Sequence, residues 1–170
     1  ALSTAQIVSL STAQVSTLGT AQVAALTTAQ VAAMQTADVA ALNTSGVQAL
    51  TSSQLSILST AQVRALTSDQ VPALTTTQMG ALTNNQLATL TTTHLQELGS
   101  AQIAALSSDQ LRALVSTQYA AMLADQVQAI STTNIAALES GDVAGFTSTQ
   151  VAALSTDQIV AMTTDQLSVL

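Results

Sequence analysis

The chain has 170 residues with nine acidic residues, two Arg and no Lys, so its net charge is −7. Phosphate binding needs clustered cations, and this charge balance therefore argues against a nucleic-acid partner. No Cys is present, which excludes disulfides and thiolate metal sites. With one Tyr, one Phe and no Trp, a core must be built from aliphatic side chains in thin, regular layers.

An eight-residue repeat covers the chain from its first Leu. The repeats begin LSTAQIVS at Leu2, LSTAQVST at Leu10 and LGTAQVAA at Leu18, and continue without insertion through 21 copies to Leu170. A self-similar period of this kind decides the architecture before any other pattern. The sequence predicts a single array over residues 1–170. Both ends fall in mid-pattern, which we interpret as an excerpt of a longer array or a subunit that stacks end to end.

Two positions of the repeat are apolar throughout. The first is always Leu, Met, Ile or Phe, and the sixth is always Val, Ile, Leu, Met or Tyr. One continuous helix is excluded, because this stripe would drift by about 80° around its axis with each repeat. A straight strand is excluded because alternate residues of a strand point to opposite faces, which would place the first and sixth positions on different faces. The seventh position tolerates Arg64, Pro72 and Gly80, which predicts that it faces solvent.

A short helix restarting in every repeat accounts for the polar positions. Ser/Thr at the second position and Gln at the fifth form a capping box, with the apolar first and sixth positions as its hydrophobic staple. Seven of nine acidic residues would then lie in a first helical turn, which the helix dipole favours; they are Asp38, Asp69, Asp109, Asp125, Asp142, Asp157 and Asp165.

The N-cap of each helix could also be assigned to the third position of the repeat. The third position is Ser or Thr in 19 of 21 repeats, whereas the second is Ser or Thr in only 14 and includes Gln35, Val115, Leu123 and Glu139. If the third position were the cap, Gly19, Gly99 and Asn43 at the second would be helix C-terminal residues. We prefer the second position as the cap. Pro72 would break a long helix, which also favours short ones.

These patterns predict an all-α fold, a solenoid or superhelical coil of very short helices with one helix per repeat. An isolated helix of five or six residues is unstable in water. Each repeat must therefore be stabilised by its neighbours, as in other quasi-one-dimensional repeat proteins.

The repeat L-[ST]-T-[AD]-Q-V-A-A resembles the octapeptide arrays of large bacterial exported proteins of the adhesion type. This resemblance covers the whole chain and implies a structural role outside the cell. The segment Leu66 to Val71 (LTSDQV) is also similar to the start of a transcription-activator-like effector repeat. That likeness covers one helix start and lacks the second helix and base-reading loop, so no DNA binding is carried over.

His94, the only His, occupies a fifth position and is interpreted as a polar substitution in the cap, because catalysis needs a second positioned group. The fourth-position Asp residues are too sparse to favour a calcium site. We therefore predict no enzyme activity, no catalytic or metal-binding residue and no cofactor, haem included, since the Met residues occupy core positions: Met34, Met79, Met122 and Met162.

The sequence as a whole predicts a spacer, stalk or filament-forming segment of an exported bacterial surface protein. End-to-end self-association is the expected partnership, and no membrane insertion is expected because no stretch approaches about 20 apolar residues. Two alternatives stay open: an ice-binding face built from third-position Thr and Ser, or a calcium-binding repeat array.

Overall fold

The computed structural model describes residues 2–170, and regular structure within that range consists of 20 short α-helices without a strand. Each helix has four to six residues, close to the predicted length. The helices are α1 Thr4–Val8, α2 Thr12–Ser16, α3 Thr20–Ala24, α4 Thr28–Ala33, α5 Thr36–Ala41, α6 Thr44–Ala49, α7 Ser52–Ser56, α8 Thr60–Arg64, α9 Thr76–Ala81, α10 Asn84–Ala88, α11 Thr92–Glu97, α12 Ser100–Ala104, α13 Ser108–Arg112, α14 Ser116–Ala121, α15 Ala124–Gln128, α16 Thr132–Ala137, α17 Ser140–Val143, α18 Ser148–Ala153, α19 Thr156–Ala161 and α20 Thr164–Leu167.

The second position of the repeat is the N-cap, which confirms the preferred phase. In the first repeat the Ser3 hydroxyl accepts the Gln6 N–H at 3.3 Å, and Gln6 Oε1 accepts the Ser3 N–H at 2.8 Å. The reading of Gly19 as a helix C-terminal residue is wrong. Gly19 has the extended φ and ψ of an N-cap, −77° and 160°, and no residue in 2–170 has a positive φ. Gly99 and Asn43 are N-caps in the same way.

The repeat that contains Pro72 is the one without an assigned helix. Residues 68–73 form successive turns, in which the Val71 N–H still donates to the Thr67 carbonyl at 3.1 Å. Proline has no N–H to extend this ladder, so the helix does not propagate. Pro72 itself is exposed, while Val71 and Leu74 stay buried, and the repeat keeps its place in the core.

The chain divides into two compact units, Ala1–Thr89 and Leu90–Leu170. Within each unit the helix of one repeat packs against the helix three repeats further on, as α1 does with α4 and α11 with α14. About three repeats therefore make one turn of the coil. The prediction that all 21 repeats form one array stays a prediction, since each unit is described by itself.

The predicted core positions are confirmed. Sixth-position side chains from Ile7 to Val143 are all buried, and first-position side chains are buried from Met34 to Leu138. The seventh position is exposed in every described repeat except at Ala40, which is half-buried. Full burial of one Leu or Val contributes about 1.5–3 kcal/mol, so the repeats in which both positions are buried contribute similar amounts to stability.

Candidate functional site

A row of buried fifth-position glutamines, here called the glutamine ladder, links successive turns of the coil. Gln54 is typical: its Oε1 accepts the Thr51 N–H at 2.7 Å, which completes the cap of its own helix. Its Nε2 donates to the carbonyls of Val23 at 3.0 Å and Leu26 at 2.6 Å, 31 and 28 residues earlier. One side chain thus satisfies backbone groups in two turns.

The same arrangement recurs in both units. Within Ala1–Thr89 it is repeated at Gln62, Gln70, Gln78 and Gln86. Within Leu90–Leu170 it is repeated at Gln126, Gln150, Gln158 and Gln166. Because these amides are buried, each would be costly if it lacked partners, and within residues 2–170 no buried side-chain polar atom lacks a hydrogen-bond partner.

Besides the repeat of His94, three repeats lack an amide at the fifth position, and each of the three has an unusual second-position residue that reaches the preceding turn instead. In the repeat of Gly46, the cap residue Asn43 donates Nδ2 to the carbonyls of Ser16 at 2.9 Å and Leu18 at 3.2 Å. Leu18 lies 28 residues before Gly46, so its carbonyl is the acceptor that a glutamine there would use.

The other two repeats contain Asp at the fifth position. Where Asp38 caps its helix, Gln35 at the second position donates Nε2 to the Val8 carbonyl at 3.1 Å. In the repeat where Asp142 caps the helix, the Glu139 carboxylate at the second position accepts a hydrogen bond from Arg112 Nη2 at 2.8 Å. Three of the second-position exceptions, Gln35, Asn43 and Glu139, therefore contact the preceding turn in repeats that lack the glutamine, which sequence reasoning did not recognise.

His94 also follows the cap rule, as predicted. Its Nδ1 accepts the Thr91 N–H at 3.4 Å and its own N–H donates to the Thr91 hydroxyl at 3.1 Å. The ring therefore performs the acceptor role of glutamine Oε1. No group of three His, Cys, Asp or Glu residues within 2–170 could hold a metal ion.

The other sequence candidates occupy the positions expected of them. Fourth-position Asp residues are exposed, and all but Asp69 lie in the first turn of a helix. Asp69 lies instead in the turns of the Pro72 repeat. Met34, Met79, Met122 and Met162 are buried core residues. Among residues 2–170 there is no helix with the length and apolar character needed to traverse a bilayer.

An aromatic pair lies inside the second unit. The rings of Tyr119 and Phe146 meet edge to face with centroids 5.5 Å apart, and the Tyr119 hydroxyl donates to the Leu111 carbonyl at 2.8 Å. Burial raises the pKa of Tyr119, and the nearby Asp142 carboxylate raises it further. Burial also raises the pKa of Asp142, and the Glu139 carboxylate adds to that effect. The phenol therefore stays protonated as a structural donor.

An apolar cavity of about 300 Å³ opens at the N-terminal end of the first unit. It is lined chiefly by first-position side chains of the first four repeats, Leu2, Leu10, Leu18 and Leu26, together with Ile7. Its walls carry apolar groups of the kind that later repeats bury between turns.

These features define a class: an octapeptide-repeat solenoid of short capped helices whose turns are joined by buried amides. A family model described as the ALTTAQ repeat matches residues 1–28, 31–66, 55–84, 83–116 and 135–170, and the chain belongs to that family. Comparison with curated proteins gave no match.

Proposed function

We propose that this array is a structural segment, a spacer, stalk or filament-forming part of an exported bacterial surface protein. The observation that carries the proposal is the maintenance of the link between turns. In the repeat where Gly46 replaces the glutamine, Asn43 supplies an amide from the second position. In the repeat where Asp38 replaces it, Gln35 does the same. The preserved property is the continuity of the coil, while the exposed seventh position varies freely.

The repeat geometry also supports a segment of adjustable length. Within each unit the helix of one repeat packs on the helix three repeats further along the chain, and the ladder bonds span 28 or 31 residues. Adding or removing three repeats would leave all these relations unchanged. Repeat proteins of this kind gain stability and length in proportion to repeat number.

A test removes three repeats, residues 42–65, from the 170-residue chain and, in a second variant, duplicates them. Circular dichroism should show unchanged helicity per residue, and the maximum dimension measured by small-angle X-ray scattering should fall and rise with repeat number. As a matched control, deleting residues 42–45 removes half a repeat and shifts the downstream glutamines out of register, so it should lower the melting temperature sharply. A maximum dimension that does not follow repeat number would contradict the spacer role.

Ice binding is a second candidate, favoured by one observation. Third-position Thr and Ser do not cap the helices, and most of them are exposed, as at Thr12, Thr20 and Thr28. Rows of exposed hydroxyls are available for a regular array of water. Thermal hysteresis of the purified chain distinguishes the two functions, because a spacer produces none.

Placement outside the cell is the part of the proposal supported by sequence alone, through the resemblance to exported octapeptide arrays. Fractionation of the producing cells with an antibody against the array would test it. Recovery of the protein from the cell interior would contradict export but would leave the spacer role intact.

A further inference from the structure

The repeat at residues 138–145 lacks the amide link that joins its neighbours to the preceding turn. In each of the three repeats before it, a fifth-position amide donates to a first-position carbonyl 28 residues earlier; the amides belong to Gln118, Gln126 and Asn134. Asp142 takes the fifth position in residues 138–145. Its carboxylate accepts the Glu139 N–H at 2.9 Å, which completes the cap, but an ionised carboxylate cannot donate to a carbonyl.

An exposed ion pair and close packing hold this repeat instead. Arg112 Nη2 lies 2.8 Å from Glu139 Oε1, and the two side chains are 44% and 70% exposed. Such a pair contributes little to stability, because water and salt screen it. Gly145 packs directly on the backbone of the preceding turn, where a Cβ would lie 3.1 Å from the Ser116 carbonyl oxygen. Neither contact includes a buried hydrogen bond.

Tyr119 supplies the hydrogen bond that the preceding turn would otherwise lack. A glutamine in place of Asp142 would donate to the carbonyl 31 residues earlier, as Gln54 does to Val23, and that carbonyl belongs to Leu111. The Tyr119 hydroxyl donates to the Leu111 carbonyl at 2.8 Å. Because Tyr119 lies in the repeat that follows Leu111 directly, this bond is kept when residues 138–145 move away. Elsewhere, the same movement would leave a buried carbonyl and a buried amide without partners.

The helix of this repeat is weak in its own right. α17 has four residues, and the Glu139 side chain makes no cap hydrogen bond. Gly141 lies inside the helix, where glycine is unfavourable, and nothing lies within 4 Å of the place its Cβ would take. α17 packs against α14 of the preceding turn and α20 of the following one. It is therefore an interior helix, and its weakness comes from its own residues.

Both flanks of this segment are fixed to other turns. On one side the Leu138 carbonyl accepts Gln166 Nε2 at 2.7 Å. On the other side the Phe146 ring meets the Tyr119 ring edge to face, with centroids 5.5 Å apart. The weakly held part is therefore limited to residues 139–145.

We propose that residues 139–145 form a hinge, a segment that detaches from the preceding turn while the glutamine ladder keeps the neighbouring repeats folded. Opening here breaks one exposed ion pair and apolar packing, whereas opening of a neighbouring repeat also breaks buried amide bonds. Local opening is expected where few buried contacts hold a segment. A coil that is bent or stretched yields first at this hinge. The proposal goes beyond the spacer role, which concerns the length of the array.

Hydrogen exchange of the 170-residue chain tests the hinge. The backbone N–H groups of residues 142–146 all donate to carbonyls within residues 139–143, so their exchange reports its opening. Asp142→Gln adds an amide that can donate to the Leu114 carbonyl, 28 residues earlier. It should slow this exchange about fivefold or more, the equivalent of one hydrogen bond.

Asp157→Gln is the matched control, because it makes the same substitution at an exposed fourth position. It should leave the exchange of residues 142–146 unchanged. Circular dichroism checks that both variants fold as the unaltered chain does. Equal exchange rates in the Asp142 and Asp157 variants would overturn the hinge.

The ionic part of the hinge is tested by Arg112→Ser. Exchange at residues 142–146 should become about two- to fivefold faster, and 1 M NaCl, which should speed exchange in the unaltered chain, should add nothing further. Arg64→Ser removes the other arginine, also at a seventh position, and should change neither the rate nor its salt response. An Arg112 variant that exchanges at the unaltered rate would overturn the role of the ion pair.

A double-mutant cycle tests Tyr119 as the replacement donor. Tyr119→Phe leaves the Leu111 carbonyl without its hydroxyl partner while the hinge is closed, and opening admits water to it. Exchange at residues 142–146 should therefore become about fivefold faster. In the Asp142→Gln chain the new amide reaches the same carbonyl, so the effect of Tyr119→Phe should be smaller. Equal effects in the two backgrounds would overturn this assignment of Tyr119.

Discussion

Gln54→Glu isolates the inter-turn bonds of the ladder from the helix cap. Glutamate retains the acceptor for the Thr51 N–H, but the ionised side chain no longer donates to the carbonyls of Val23 and Leu26. Loss of two neutral hydrogen bonds costs about 2 kcal/mol, and a carboxylate buried against unpaired carbonyls adds about 1–3 kcal/mol. We therefore expect the free energy of unfolding to fall by about 3–5 kcal/mol at pH 7.

The loss should depend on pH. Burial raises the pKa of an introduced carboxyl above its unfolded value of about 4.3. Over the window from about 4.3 up to the raised folded value, the folded chain holds more protons than the unfolded chain, so stability falls as pH rises. At lower pH the neutral carboxyl can donate one hydrogen bond to a carbonyl, and the variant should recover part of its stability.

The measurement is urea denaturation followed by circular dichroism at pH 7 and pH 4. Gln6→Glu is the matched control, because Gln6 makes the same cap but its Nε2 meets no acceptor within residues 2–170. That variant should change stability by less than about 0.5 kcal/mol. Equal effects at Gln54 and Gln6 would show that the ladder does not hold the turns together.

Three further experiments test the fold. Leu90→Ser, at a buried first position, should lower stability by about 3–5 kcal/mol in thermal or urea unfolding, while the exposed Arg64→Ser should be nearly silent; similar losses would show that the faces are misassigned. Asn43→Ser keeps a cap hydroxyl but loses the bonds to the preceding turn, so it should cost about 1 kcal/mol in urea denaturation, and adding Gly46→Gln should restore it. Gly145→Ala should destabilise by about 1 kcal/mol although Ala is the commonest residue there, because the new methyl would lie 3.1 Å from the Ser116 carbonyl oxygen; a melting temperature at or above that of the unaltered chain would refute the clash.

The helical fold, the cap and the core positions were predictable because each depends on groups a few residues apart. A capping box joins positions two and five, and its residues are visible directly in the sequence. Burial of the first and sixth positions could be predicted because both are apolar in every repeat. The number of repeats per turn was not predictable, since it depends on how whole helices pack on one another.

The ladder was missed because glutamine at the fifth position already had an explanation as a cap. A cap accepts Glu as readily as Gln, and Glu would suit the helix dipole better, yet no repeat has Glu there. That absence indicates a need for an amide donor. A second signal was that Gln35 occurs in the same repeat as Asp38, and Asn43 in the same repeat as Gly46. The sequence analysis treated Gln35 and Asn43 only as exceptions to the cap pattern.

The constant span of the ladder bonds has a consequence for folding kinetics. Every turn closes a loop of about 30 residues whatever the number of repeats, so the relative contact order falls as an array becomes longer. Each glutamine also finds its carbonyls in chain already synthesised. A nascent array can therefore fold from its N-terminus as it leaves the ribosome, and longer arrays should complete each turn no more slowly than short ones.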